Sequence, residues 1–227
     1  MPNNFVIDMV MFAYNRAEYT DMTLKSLIEI DSGFDFDKVN FVVINHSSTD
    51  NTTDVIKDFM NKNKGIINKF CTESNRGVSN GLEHFRNHYC TSAKYIGKID
   101  NDSIFTKNWL KYLYDAINTE NNLGIVGAAA NYDQHVGFIN KGKYFKSSFV
   151  GGRFLAKKEI FKINKKLRGS GIWGWGKFQE YILQKWDIGW CNPPAVIEHV
   201  GDNKFKHEKS IKSVEYINYM KEIERLK

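Results

Sequence analysis

The sequence predicts an α/β fold in which a mainly parallel central sheet is flanked by helices. Three observations lead there. Short apolar runs rich in β-branched residues alternate with segments whose apolar residues recur at helical spacing. In the first half, each run stops at a cluster of polar turn and helix-capping residues. The chain's 227 residues suffice for one well-buried domain and are few for two.

The elements follow in order. Residues 6–14 form an apolar run ending in polar residues, and 20–30 place Leu24, Leu27 and Ile28 on one helical face. A second run, 39–44, breaks at Asn45-His46-Ser47-Ser48-Thr49-Asp50 before a helical segment at 53–61. Residues 66–71 read as a third strand and 77–89 as a helix with Leu82 and Phe85 inward. The fourth strand, 95–99, stops at Asp100-Asn101-Asp102. Strands alternating with helices imply parallel pairing, and ligands then bind beyond the carboxyl ends of the strands. The clusters at 14–16, 45–50, 75–77 and 100–102 should therefore converge on one crevice.

The second half is less regular. Residues 107–118 read as a helix, and 125–130 and 150–155 as strands. A glycine-rich aromatic loop at 169–176, containing Trp173-Gly174-Trp175-Gly176, leads into a helix at 178–186. Residues 188–191 and 195–200 are the last strand candidates. One domain is expected over 1–205, with an amphipathic helix at 206–227 (its apolar side Ile211, Val214, Ile217, Met220 and Ile223) packed on it.

Hydrophobic residues make up 42% and aromatic residues 14%, which excludes a disordered chain. Lys plus Arg exceed Asp plus Glu by 32 to 26, a formal charge of +6 that suits anionic partners or a basic solvated surface equally. No apolar run approaches the ~20 residues that span a bilayer, so no transmembrane segment is expected. The start lacks a basic region followed by an apolar core, so no secretory leader is expected either. Cys71, Cys90 and Cys191 are odd in number and far apart, which suits free thiols and a cytoplasmic setting.

Asp100 and Asp102, one residue apart at a strand end, can share a hard divalent cation and a ribose hydroxyl. The spacing alone is weak, since two such Asp occur by chance about once in a chain of this size. A capped turn is the competing reading, yet it does not explain an apolar strand aimed at the pair. His199 follows a late strand and could supply an imidazole ligand, for which Mn²⁺ (or Mg²⁺) is better suited than Ca²⁺; lone histidines are more often simply structural. Glu180, expected at a helix start beneath the Trp-Gly loop, could act as general base. Trp173 and Trp175 offer indole faces to an acceptor sugar or a base, with a surface glutamate beside core tryptophans as the plain alternative.

Val10-Met11-Phe12-Ala13-Tyr14-Asn15-Arg16, Ser48-Thr49-Asp50-Asn51-Thr52, Asn75-Arg76-Gly77-Val78-Ser79 and Asp100-Asn101-Asp102, taken in order, resemble the family 2 glycosyltransferases. The Trp-Gly-Trp-Gly stretch and the later His199 also resemble the galactosyl- and N-acetylgalactosaminyltransferases of the same fold. The likeness runs from about residue 6 to 201, and the joint pattern is far more specific than any piece. It implies a GT-A fold, a nucleoside-diphosphate sugar donor (a UDP-sugar favoured) and a divalent metal bridging the diphosphate. By position, the donor would lie against Ala13, Tyr14, Asn15, Arg16, Asn45, Asn75, Gly77, Asp100 and Asn101. Asp100 would hold ribose or metal; Asp102 and His199 would ligate the metal. The acceptor would be a glycan, lipid carrier, protein or modified DNA hydroxyl.

The sequence departs from the family in three places. The paired acidic residues usual before Ser-Thr-Asp are Asn45 and His46, which alters base recognition. An arginine common in the helix after Asn75-Arg76-Gly77 is replaced near Leu82. The acidic pair after the Trp-Gly stretch reads Phe178-Gln179-Glu180, leaving Glu180 as the candidate base. A non-catalytic nucleotide- or sugar-binding module is one rival reading. A sugar nucleotidyltransferase is another, though residues 12–16 lack the glycine its signature loop would want. The absence of Gly-x-Gly-x-x-Gly at the first strand–helix turn speaks against a dehydrogenase.

Overall fold

The computed structural model describes residues 4–128, 139–162, 172–192 and 198–199, the backbone alone at 172–174 and 198–199. Its centre is a nine-stranded sheet in the order β3-β2-β1-β4-β9-β6-β10-β8-β7. The strands are β1 (Ile7–Ala13), β2 (Val39–Asn45), β3 (Lys69–Thr72), β4 (Tyr95–Asp100), β6 (Leu123–Gly127), β7 (Ile139–Asn140), β8 (Tyr144–Ser147), β9 (Phe154–Lys157) and β10 (Asp187–Cys191). A separate two-stranded ribbon joins β5 (Ser103–Ile104) to β11 (Glu198–His199).

The expected α/β architecture is present, and the sheet is mixed. β1 pairs in parallel with β2 and β4, and β2 with β3. β9 runs antiparallel between β4 and β6, and β8 antiparallel to β10. All seven β2 residues are buried, the pattern of a strand covered on both faces, and its sequence is apolar but for Asn40 and Asn45.

Alternation along the strands builds two cores. Met9, Met11, Phe41 and Val43 face α1 (Ala17–Glu29), α2 (Thr52–Lys62) and α4 (Trp109–Thr119), meeting Leu24, Ile56 and Leu113. Val10, Val42, Ile44 and Ile96 face the other way, onto Leu82 and Phe85 of α3 (Gly77–His88) and Trp175 and Phe178 of α5 (Ile172–Ile182). Each such fully buried side chain contributes roughly 1.5–3 kcal/mol. At the amino end of β1, buried Asp8 accepts from Asn40, Thr91 and Lys158, a structural network remote from the crevice.

Several boundaries differ from expectation. α1 starts at Ala17, three residues early, because Asp50 accepts from the Ala17 N–H at 3.0 Å and caps the first turn. The strand expected at 150–155 is β9, displaced toward 157, because Val150 is engaged by α5 instead. The Trp-Gly-Trp-Gly stretch, expected as a loop, forms the first turns of α5. Glu180 is consequently the ninth residue of its helix and not at its start. The expected terminal helix at 206–227, and most of the strand at 195–200, lie outside the described residues.

Candidate active site

The carboxyl ends of β1, β2, β3 and β4 meet as expected, tied by side chains that reach between loops. Asn15 and Arg16, directly after β1, both take left-handed backbone conformations, with φ of 50° and 69°. Non-glycine residues rarely do this without compensation. Here the compensation is visible. The Asn15 N–H donates to Ser48 Oγ at 2.9 Å, and its side-chain oxygen accepts from the Thr49 N–H at 2.9 Å. Asp50 accepts from the Ala17 N–H and from the Thr52 N–H and hydroxyl. Burial alone would raise the Asp50 pKa, but these hydrogen bonds outweigh it and hold the carboxyl below its usual range.

Asn45 is fully buried and turns its amide inward. Its oxygen accepts from the Ser48 N–H and hydroxyl, and its Nδ2 donates to Thr53 Oγ1 at 2.7 Å. It shapes the floor of the crevice, and its amide is committed to that work. His46 lies stacked on Phe12 at a 5.0 Å centroid distance, and burial lowers its pKa, keeping it neutral near pH 7. Beyond β3, Glu73 gathers Tyr89, His84 (3.0 Å) and Arg76 (3.7 Å), and its carbonyl accepts from Ser47. Asn75 accepts from the N–H of Gly77, whose φ of 68° suits glycine. Tyr14 is half-exposed at the mouth, and Leu82, near the place of the family's arginine, is buried in the core.

At the end of β4 the two carboxylates are held differently. Asp102 is 4% exposed in its side chain and pairs with the Arg16 guanidinium, which is 42% exposed. Asp100 pairs with the buried Lys98 ammonium, and Arg153 Nε lies 3.9 Å from its other oxygen. Between them, Asn101 donates to Thr20 Oγ1 at 2.9 Å and to the Asn15 carbonyl at 3.4 Å, which fixes the turn against α1. The crevice thus concentrates cations around two carboxylates, an arrangement suited to a phosphate-bearing ligand.

His199 enters by strand register. In the β5–β11 ribbon it stands opposite Ser103, the residue after Asp102. Among the described residues no three His, Cys, Asp or Glu side chains already converge as a metal cluster. The donor set nonetheless fits a divalent cation: carboxylate oxygens at a strand end, with a histidine delivered beside them by the ribbon.

The structure does not present Trp175 as a sugar platform. Its indole is buried, stacked on Phe154 at 4.4 Å and near Phe178 at 5.7 Å, and its Nε1 donates to the Val150 carbonyl at 2.8 Å. Gln179, the neighbour of the candidate base Glu180, is fully buried. Its oxygen accepts from the Val150 N–H at 2.7 Å and its Nε2 donates to the Val150 carbonyl at 2.9 Å. Glu180, the next residue of the same helix, is exposed. The side chain of Trp173 lies outside the described residues.

Lys98 and Arg153 are not singled out by the sequence, whereas Gly151-Gly152 reads there as a place of close backbone approach, as found at Gly152. A lysine two places before an aspartate inside an apolar strand was the available signal, since alternate strand residues share a face.

A pair of carboxylates flanked by lysine and arginine side chains lies at the carboxyl ends of parallel strands in an open α/β sheet, where such sheets bind their ligands. The particular family follows from comparison. The model of glycosyl transferase family 2 matches residues 8–175, and the chain belongs to that family. The match includes Asp100 and Asp102 and ends before Gln179, Glu180 and His199. The poly-beta-1,6-N-acetyl-D-glucosamine synthase of Staphylococcus epidermidis is 25% identical over 89% of this chain and 48% of its own length. An uncharacterized glycosyltransferase of Haemophilus influenzae is 25% identical over 56% of this chain and 38% of its own. The chain therefore spans about half or less of the length of these curated relatives. Among solved structures, the mannosyltransferase PcManGT of Pyrobaculum calidifontis, in complex with GDP-Man and Mn²⁺, has a TM-score of 0.70 at 17% identity, covering 88% of this chain and 58% of its own. Staphylococcus aureus TarS, in complex with UDP-GlcNAc, has a TM-score of 0.57 at 15% identity, covering 86% and 60%. These likenesses establish the GT-A fold.

Proposed function

We propose that this glycosyltransferase moves a sugar from a nucleoside-diphosphate sugar, with uridine the favoured base, to an acceptor hydroxyl with inversion at the anomeric carbon. The observation that carries the reading is the joining of β1 to β4 through Arg16 and Asp102 beside Asp100. That joint puts a half-exposed guanidinium where a diphosphate would meet the carboxylate pair. Complexes of fold neighbours with GDP-Man and Mn²⁺ and with UDP-GlcNAc support a donor of this chemistry.

Asp102 and His199 would hold a divalent cation, which when bound supplies charge neutralisation at the departing diphosphate. The protein's own groups do the rest. Arg16 leaves Asp102 to donate to diphosphate oxygens, where negative charge grows as the anomeric C–O bond breaks. Tyr14, at the mouth, lies against the nucleotide. Glu180 accepts the acceptor's proton as its oxygen bonds to the anomeric carbon. The neutral Gln179 amide has no basic site and is occupied by Val150.

Asn45, His46 and Gln179, where the family's acidic residues are usual, also favour a second reading, a donor-binding module without transfer. Calorimetry with UDP and GDP, each with and without Mn²⁺, tests the first requirement of both. UDP should bind more tightly with the metal than without it, and more tightly than GDP. Equal affinity with and without Mn²⁺ would contradict the metal assignment.

A further inference from the structure

Lys98 lies inside β4 and its side chain is only 2% exposed, an unusual place for an ammonium. It donates to Asp100 Oδ1 and, at 3.0 Å, to the carbonyl oxygen of Gly152. Arg153 approaches the other Asp100 oxygen. A Cβ placed on Gly152 would lie 2.9 and 3.1 Å from the two Asp100 oxygens and 3.2 Å from Lys98 Nζ. Segment 151–153 thus closes tightly over the pair, and any larger residue at 152 would push the carboxylate or the ammonium aside. Packing does not demand a cation here. Apolar side chains commonly replace buried ion pairs with no loss of stability, so the ammonium calls for another explanation.

We propose that Lys98 is a resident counter-cation that reserves Asp100 for the donor and keeps it out of the metal's ligand set. The inference rests on the donor and metal reading given above, and decides which of the two roles open to Asp100 it takes. Two fixed cations beside Asp100 oppose the approach of a third. Asp102 differs, because its partner is a half-exposed arginine side chain that can swing away. A metal ion arriving alone would meet Asp102 and the neighbouring His199 strand position and little more, and would be held firmly only once diphosphate oxygens complete its shell. Asp100, held by Lys98, is thereby oriented toward a donor hydroxyl and not toward the metal. Lys98 is therefore a positioning residue.

The test uses Mn²⁺ alone, titrated by electron paramagnetic resonance into the unmutated protein, Lys98→Met and Lys98→Arg. UDP calorimetry and thermal unfolding are run on the same preparations. Removing the ammonium frees Asp100 for the metal, so Lys98→Met should bind Mn²⁺ alone about tenfold or more tightly while binding UDP more weakly. Lys98→Arg should bring both back toward the unmutated values. Should Lys98→Met fail to fold, Lys98→Gln carries the same comparison. A lysine with a purely structural role would lower the unfolding midpoint without tightening the metal. Mn²⁺ binding that is unchanged, weaker or undetectable in the charge-free variant overturns the proposal. Since that measurement contains no nucleotide, a failure of the donor reading appears separately, as absence of UDP binding by the unmutated protein.

Discussion

Arg16 is the residue on which the crevice turns. It caps α1 in a left-handed conformation (φ 69°) and spends its charge on Asp102 across the gap between β1 and β4. If it moves to the diphosphate when donor arrives, Arg16→Ala removes one charge-assisted hydrogen bond. UDP should then bind more weakly by about 1.5–3 kcal/mol, roughly ten- to a hundredfold, by calorimetry. An unchanged dissociation constant would place the nucleotide elsewhere. Glu180 is the second residue under test. Glu180→Gln keeps the shape and removes the base, and should lower transfer by ~10²–10⁴-fold while sparing UDP and Mn²⁺ binding. A normal transfer rate would assign the base to another residue.

At the scale of elements, α5 and the segment entering β9 depend on one clamp. Trp175 and Gln179 together satisfy both backbone groups of Val150, two residues before Gly152. Gln179→Ala leaves the buried Val150 N–H unpartnered and should cost about 1–3 kcal/mol of stability in denaturant unfolding. UDP affinity measured well below the transition should hold, which separates a structural glutamine from a catalytic one. The far edge of the sheet has its own tie. Asp187 at the start of β10 accepts from Tyr144 at 2.7 Å and pairs with Lys146, joining β10 to β8. Burial pushes the Asp187 pKa up, but the hydrogen bonds from Lys146 and Tyr144 outweigh it and leave it lowered from 3.8. A depressed folded-state value means the contribution is fully present above the unfolded pKa and is lost as pH falls through the folded one. Asp187→Asn should therefore cost about 1–2 kcal/mol at pH 7, and the difference from the unmutated protein should shrink below pH 4 in acid titrations of stability.

Across the whole molecule, the parts legible in the sequence were those set by repetition. β1, β2 and β4 are mostly buried and read as apolar runs broken only by single polar residues (Asp8, Asn40, Lys98), and their ends carry the polar clusters that meet in the crevice. The two-residue strands β5 and β7 carry no period to detect. Trp173–Gly176 reads as a loop because two glycines in four residues oppose a helix, and tertiary bonds from Trp175 and Gln179 to Val150 override that propensity. Asn45 reads as a ligand contact, yet its turn-forming amide is used within its own loop. The proposed crevice chemistry, two carboxylates and their cations joined by a divalent cation to activate a nucleotide sugar, can be tested directly. Its most direct test is the release of nucleoside diphosphate from a panel of UDP- and GDP-sugars, with Mn²⁺ or with chelator, by the unmutated protein and Asp102→Ala. The account predicts release from a UDP-sugar that requires Mn²⁺ and is lost in Asp102→Ala while the fold persists. Release that survives chelation, or survives Asp102→Ala undiminished, would contradict it.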